Sequence, residues 1–357
     1  MKESVIERNK RLHTDEKIAA FRVKQQQPYD FKAAYAETRA WEFYEEAGKR
    51  GLNCHVSVGG LDSITLLLFL RKIGIDVPAI SVSMLEDKSI IQTHKALGVI
   101  RIRPAMKKPD IIRQFGFPVI SKEVAAKIEL LQHPSEKNAT VRHAIITGET
   151  GEYGGNRTGT RMQLSERWLQ LFGGADEEGK AAGYEAAPFL VSSKCCYYLK
   201  EKPCDDWAKE HNSVPFLGLM ASEGGRREKA LMMHGCNYFG DTTIRSAPFA
   251  IFNRQDLLQL ALDLDVPVPE IYGEIKRDFT GKLRTTKAQR TGCSMCGFGI
   301  HLEKRPHRFD QLYMRNPKEW NFWMIEMEWG KVLDYIGVEW RQPIPPMNEQ
   351  ISFQDLI

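Results

Sequence analysis

Cys54-His55-Val56-Ser57-Val58-Gly59-Gly60-Leu61-Asp62-Ser63-Ile64 is the stretch on which the reading of the whole chain turns. Its first five residues form a short apolar run closed by glycine, the pattern of a buried strand. Gly59-Gly60 breaks that strand, and Asp62-Ser63 opens an apolar run from Ile64 to Ile73 that reads as a helix. Glycine lets the backbone approach an anion closely. The amide groups and dipole of a helix start favour negative charge. Asp62 has two readings: an N-cap with Ser63 inside the first turn, or a carboxylate holding magnesium beside a pyrophosphate. Taken alone, Gly-Gly-x-Asp-Ser is a weak signal, because capping residues commonly follow glycine.

Outward from this stretch the same order recurs. Val77–Ser83 reads as a second strand, His94–Leu97 as part of a helix, and Val99–Arg103 as a third strand. Such alternation implies an α/β fold, a doubly wound and mostly parallel sheet of Rossmann-like type covered by helices. Upstream, residues 1–30 are polar and Gln-rich, an arm with a short helix, and Phe31–Arg50 is an amphipathic helix. Downstream, Ser121–Leu131 reads as a helix and His143–Thr147 as a strand. Residues 150–183 form a Gly- and charge-rich excursion with a helix near Leu164–Phe172. Val214–Met220 is a further strand and Arg254–Leu264 a helix. The expected division is a helical arm over 1–50, an α/β domain over 51–265 with an insertion at about 150–190, and a C-terminal lobe over 266–357.

With 42% hydrophobic and 27% charged residues, the chain has the balance of a soluble globular protein and not of a disordered one. No run of 18 uncharged apolar residues occurs, which argues against a membrane span. The N-terminal basic residues have no apolar core behind them, so a signal peptide is not expected. Seven cysteines, an odd number without a secretory signal, suit the reducing cytoplasm better than a disulfide framework. A net charge of +4 does not demand nucleic acid.

The cysteines are unevenly placed. Cys195-Cys196 are adjacent, Cys293-Ser294-Met295-Cys296 is a CxxC, and Cys54, Cys204 and Cys236 stand singly. Thiolates ligate soft metals, and two clustered pairs supply four ligands. Zinc usually takes cysteines two to four residues apart, whereas adjacent cysteines diverge and suit different irons. The pattern therefore points to a [4Fe–4S] cluster on Cys195, Cys196, Cys293 and Cys296, with structural zinc as the alternative. Burial as small hydrophobes suits Cys54 but explains a CC and a CxxC in one chain poorly.

The loop Ser57-Val58-Gly59-Gly60-Leu61-Asp62-Ser63 resembles the SGGxDS PP-loop of the N-type ATP pyrophosphatases and the phosphoadenosine phosphosulfate (PAPS) reductase family. Three further segments agree in order. Cys195-Cys196 through Lys200 and Pro203 is similar to the CCxxxK…P segment of cluster-bearing APS reductases. Gly218-Leu219-Met220-Ala221-Ser222-Glu223 with Arg227 is similar to a GxRxxES…R stretch. Pro248–Phe252 with Asp256, Pro267 and Ile271-Tyr272 leads into the CxxC as in the family. The resemblance spans Asn53 to Cys296. It implies an adenine-nucleotide α-hydrolase type of fold. It also implies ATP or PAPS/APS bound with magnesium by Ser57, Gly59, Gly60, Asp62, Ser63 and Glu223, with catalytic roles for Asp62, Ser63 and Arg227.

Departures from the family shift the reaction. Val58 stands where the loop has its first serine, Met220 where an arginine is expected, and Gly224 where a serine follows the glutamate. No cysteine follows Cys296, so the reductases' C-terminal nucleophile is missing. The first expectation is therefore adenylation by an ATP pyrophosphatase coupled to sulfur transfer. A sulfonucleotide reductase using Cys236 or Cys204 is the rival enzyme, and a nucleotide-sensing or nucleic-acid-associated protein without turnover is the third reading. Expected partners are the nucleotide, tRNA or DNA, a sulfur- or electron-donor protein, and a second copy of the chain; a membrane is not among them.

Other features have plainer readings. Gly174–Ala181 nearly matches a Walker A motif but ends in Ala and carries three carboxylates, so it reads as a surface turn. Arg157, Arg161 and the run Lys276, Arg277, Lys282, Arg284, Lys287, Arg290 suit an anionic-substrate channel or contact with nucleic acid, although such runs are commonly solvated faces. His301, Glu303, His307 and Arg308 read as hydrogen-bonding groups around the CxxC. Trp320, Phe322, Trp323, Trp329 and Trp340 read as core.

Overall fold

The computed structural model describes residues 5–82, 86–150, 162–172 and 187–341. The strands are β1 (Asn53–Ser57), β2 (Ala79–Ser81), β3 (Ile100–Arg101), β4 (Val119–Ile120), β5 (Ser213–Leu217), β6 (Asn237–Phe239), β7 (Ile244–Ser246), β8 (Ile275–Arg277), β9 (Leu283–Thr285) and β10 (Gly297–Phe298). Six of them form one sheet in the order β3-β2-β1-β5-β7-β6. Every neighbouring pair is parallel except β6 with β7. The α/β, mostly parallel architecture expected from the sequence is thus the architecture found.

β1 sits inside this sheet, with Cys54, His55 and Val56 all buried. Cys54 and Val56 give one face its apolar side chains, and on the other the buried His55 is satisfied by Ser213. Its register runs from Asn53 opposite Ser213 to Ser57 opposite Leu217 on one side, with Val56 opposite Ala79 on the other. The helix Tyr29–Lys49 lays Ala36, Ala40, Phe43 and Ala47 against the sheet, spaced three and four apart. The Phe43 ring lies 5.0 Å from Phe216 and 5.1 Å from Phe239. The buried Lys32 of this helix donates to Asp256 at 2.8 Å. Asp256 also closes a capping box with Asn253 at the start of the helix Arg254–Asp263.

The chain divides into two compact units. One unit is Met1–Pro104 with Lys202–Cys293; the other is Ala105–Glu201 with Ser294–Ile357. The reason lies in the pairing of β1: its partner β5 arrives only after the chain has left the sheet beyond β3, so the first unit is discontinuous in sequence. Each unit has its own apolar core, the first around Phe43, Phe216, Phe249 and Phe252, the second around Phe172, Phe309, Trp329 and Leu333.

In the second unit β4 and β10 pair in parallel. Trp329 is fully buried, with its ring 5.2 Å from Phe117 and 5.6 Å from Phe309. Trp320 and Trp323 are buried too, so the aromatic C-terminal stretch is core, as its plainer reading has it. The strand expected at His143–Thr147 is instead part of the helix Ala139–Thr147, which ends on Gly148 at φ 78. Val141, Ile145, Ile146 and Thr147 are β-branched, which suggested a strand, but tertiary burial of Ala144, Ile145 and Ile146 overrides that preference. The arm is more helical than expected, with a helix over Val5–Gln25. Gly174–Ala181, Arg157 and Arg161 lie outside the described residues. No described helix is long and apolar enough to cross a membrane.

His55 gives the first unit a pH signature. It is buried in β1 with Nδ1 2.8 Å from Ser213 Oγ and its ring edge-on to Trp207. Burial, aided by the charge of His211, pushes its pKa down from 6.5 to about 4. The fold therefore holds a neutral imidazole. Its contribution is complete above the unfolded value near 6.5 and is lost as pH falls toward about 4. Urea unfolding between these two pH values should show stability falling by an amount on the order of 3 kcal/mol, a slope that His55→Gln should flatten. An unchanged slope in that variant would place the acid sensitivity elsewhere.

Candidate functional site

The loop between β1 and the helix Leu61–Lys72 is built from hydrogen bonds among its own atoms and three neighbours. The Gly59 N–H donates to Ser63 Oγ at 2.7 Å, and that hydroxyl donates to the Gly60 carbonyl at 3.0 Å. His94 Nε2 lies 2.8 Å from the Gly59 carbonyl. The Leu61 N–H donates to the Tyr272 hydroxyl at 3.1 Å, and Tyr272 pairs with Thr291 Oγ1 at 2.6 Å. A Cβ on Gly60 would lie 2.4 Å from the Tyr272 hydroxyl oxygen, so a larger residue there would have to displace that hydroxyl from Leu61 and Thr291. Gly218, just after β5, is required. A Cβ on it would come within 3.0 Å of the Asp62 and Ser63 backbone, so the two strand ends meet backbone to backbone.

Asp62 is not the helix cap. Gly60 holds that position, and Asp62 lies in the first turn with its carboxylate accepting from the Arg254 guanidinium. Arg254 also donates to the Gln289 carbonyl at 3.0 Å. Burial raises the Asp62 carboxyl above its ordinary value, the Arg254 charge opposes that shift, and nearby Glu223 reinforces it. The Glu223 side chain, itself only 7% exposed, takes Arg227 at 2.6 Å and Arg290 at 3.4 Å. Two carboxylates and three guanidinium groups thus gather beyond the carboxyl ends of β1 and β5. The sheet order reverses direction there, and that crevice is where open α/β sheets take ligands.

The residues expected from the sequence divide clearly on this map. Gly59, Gly60, Asp62 and Ser63 form one loop, and Glu223 and Arg227 belong to the adjoining charged cluster. Ser57 is half-buried at the end of β1. Val58 is a core residue, 5% exposed, whose amide donates to the Ile80 carbonyl at 2.8 Å. Met220 is likewise core at 2% exposure. Both departures from the family pattern therefore serve packing. Arg254, Tyr272 and Thr291 carry structural roles at the loop that the sequence reading did not assign.

The cysteine motifs are placed as follows. Cys195 is buried, while Cys196, Cys293 and Cys296 are half-buried. Cys293 closes the first unit, and the other three belong to the second. Within the second unit, Lys122 donates to Glu201 at 2.7 Å and hydrogen-bonds Cys196. Burial alone would lower the Lys122 ammonium, but Cys196 and Glu201 outweigh it and hold it above its ordinary value. A cation beside a thiol favours thiolate, the form that ligates metals. Buried Lys108 donates to the Ser294 and Met295 carbonyls, the second at 2.7 Å, and Arg308 donates to the Cys296 carbonyl at 3.2 Å. The CxxC backbone is therefore fixed by two cations. Even so, among the described residues no three His, Cys, Asp or Glu side chains gather into a metal-holding group.

No family model matches this chain, and no curated protein matches it. Among solved structures it is similar to the phosphoadenylyl-sulfate (PAPS) reductase of Candida auris, determined as a phosphate complex. The likeness covers 72% of this chain and 98% of that chain at 10% identity, with a TM-score of 0.35. A match that loose transfers no residue role to this chain.

The Asp62–Arg254 pair makes a sharp expectation. A carboxyl whose folded pKa lies above its unfolded value loses its stabilising contribution as pH rises through the folded value. Arg254→Met removes the opposing charge, so the Asp62 carboxyl should titrate still higher. Carboxyl carbon NMR should show the displaced titration, and denaturation of the variant should show stability declining more steeply with pH than in the parent. Superimposable titrations would mean that the guanidinium does not act on Asp62.

Proposed function

We propose that the chain is an adenine-nucleotide enzyme of the PP-loop kind, whose chemistry is the splitting of ATP between its α and β phosphates ahead of sulfur transfer. The observation that carries this reading is one juxtaposition. The glycine loop and helix start after β1 lie beside a cluster of three arginines and two carboxylates at the reversal point of a parallel sheet. Amides at a helix start suit pyrophosphate oxygens, and guanidinium groups offset the charge that grows as a phosphate bond breaks. In this scheme an acceptor oxygen attacks the α-phosphorus and loses its proton, and pyrophosphate departs, leaving the acceptor as an AMP ester. Asp62 and Glu223 are the side chains that would hold magnesium, which usually takes one or two carboxylates together with phosphate oxygens. Ser63 positions the loop by bonding Gly59 and Gly60, and Arg227 and Arg290 are the candidates for the α-phosphate.

The reductase alternative needs a reactive thiol. Cys236 fits that role badly: it is 3% exposed, and burial pushes its thiol up to about 11. A nucleophilic cysteine requires access and a depressed pKa. No step of the proposed reaction runs through an iron–sulfur cluster; Cys195, Cys196, Cys293 and Cys296 stay proposed ligands on donor chemistry alone, with zinc as the other candidate.

Two measurements test this reading. Pyrophosphate release from magnesium-ATP, assayed with and without RNA or DNA acceptors, should fall by about two orders of magnitude or more in Asp62→Asn. Thiol-dependent sulfite release from PAPS or APS in place of pyrophosphate release would instead establish a reductase. For the metal, anaerobically purified protein should carry about four iron and four sulfide per chain, lost in Cys196→Ser/Cys293→Ser. Stoichiometric zinc without sulfide would make the cysteines a structural clamp.

A further inference from the structure

Gly59-Gly60 lets an anion approach the backbone, and the same freedom is a liability. A peptide group between two glycines can turn over with little steric opposition, because neither residue carries a Cβ. One orientation offers an N–H to an anion, and the other offers a carbonyl oxygen, which repels it. A loop that receives phosphate oxygens therefore needs a contact that selects the first orientation.

The hydrogen bonds of the loop show which peptide groups are held and by what. Ser63 Oγ takes the Gly59 N–H, so it fixes the Val58–Gly59 peptide. The next peptide but one, Gly60–Leu61, is fixed twice: Ser63 Oγ donates to the Gly60 carbonyl and the Tyr272 hydroxyl takes the Leu61 N–H. Neither Ser63 nor Tyr272 touches the Gly59–Gly60 peptide between them. That group is held by His94, which lies on the helix Lys88–Ala96 and is 3% exposed. Its Nε2 is 2.8 Å from the Gly59 carbonyl oxygen. A carbonyl only accepts, so Nε2 carries the proton and donates. The Gly59–Gly60 peptide is trans and planar. With its carbonyl held on His94, its N–H points the opposite way, and among the described residues that N–H meets no acceptor. The helix that carries His94 is itself tied to the loop's other support, since Ser89 Oγ accepts the Ile271 N–H at 3.1 Å, one residue before Tyr272.

We propose that His94 is the positioning residue of the anion loop: its hydrogen bond locks the Gly59–Gly60 peptide with the Gly60 N–H presented to a bound phosphate. The loop motif and its lock are separate in sequence, the motif on the turn after β1 and the lock on a helix after β2. The service of the lock to phosphate rests on the nucleotide reading; the lock itself rests on the geometry of one peptide group.

The test uses the full chain, His94→Leu, which removes the donor, and His94→Gln, whose side-chain amide can donate from the same end. The Gly59 carbonyl carbon-13 and Gly60 amide nitrogen-15 resonances are read first, without ligand. Both should move in His94→Leu and return most of the way in His94→Gln, while those of Gly235 and Gly281, elsewhere in the same unit, stay in place. Calorimetric titration with magnesium-ATP and with inorganic pyrophosphate should show binding about three- to tenfold weaker in His94→Leu, the worth of one hydrogen bond, and within about twofold of the parent in His94→Gln. Equal loss of binding in both variants, with melting temperatures lowered alike, would make His94 a support of the fold and overturn the proposal. Gly59 and Gly60 resonances unmoved by His94→Leu would overturn it too. A parent protein that binds neither probe would instead sink the nucleotide reading, and the two ligand-free resonances would still decide the lock.

Discussion

The pairing of β1 between β2 and β5 is the constraint from which the candidate site follows. Parallel pairing on both sides fixes where β1 ends, and with it where Gly59 and Gly60 turn into the helix Leu61–Lys72. The same pairing sets the end of β5 beside that turn, close enough that a Cβ on Gly218 would meet the Asp62 and Ser63 backbone. From that contact the charged cluster is assembled. Asp62 comes from the helix after β1, Glu223 and Arg227 from the segment after β5, and Arg254 and Arg290 from elements that cover the same strand ends.

The electrostatics of the cluster are tuned and not merely accumulated. A half-buried Asp62 would drift toward its neutral form without Arg254, and Glu223 pushes it the same way. The Arg254 guanidinium opposes that drift at Asp62, while Arg227 and Arg290 pair with Glu223. The loop itself is stiffened by uncharged contacts, Ser63 to Gly59 and Gly60, and Tyr272 to Leu61. Fixed amides beside paired guanidinium groups suit an anion whose charge changes during reaction.

Local patterns carried the parts of this description that local physics determines. Cys54–Val58 reads as a buried strand because its apolar run is short and stopped by glycine, and the helix after Asp62-Ser63 reads as one because its apolar run is long. The helix Ala139–Thr147 misled because β-branched residues favour extended backbone until a core claims them. Arg254 could not be found from the loop motif, since it lies 192 residues from Asp62 and meets it only once β1 and β5 have paired. The two units escaped detection for the same reason, each being assembled from separate stretches of chain. The substitutions Val58 and Met220 looked like losses of function in the sequence, yet both side chains are core.

Whether the loop after β1 is an anion cradle is the claim on which the functional account stands. Selective nitrogen-15 glycine labelling, with Gly59 and Gly60 assigned by substitution, makes the cradle directly visible in solution. Titration with magnesium-ATP should shift both amide resonances saturably, along with that of Gly218 at the facing strand end. Saturable binding that moves other glycines and leaves these three in place would contradict the account.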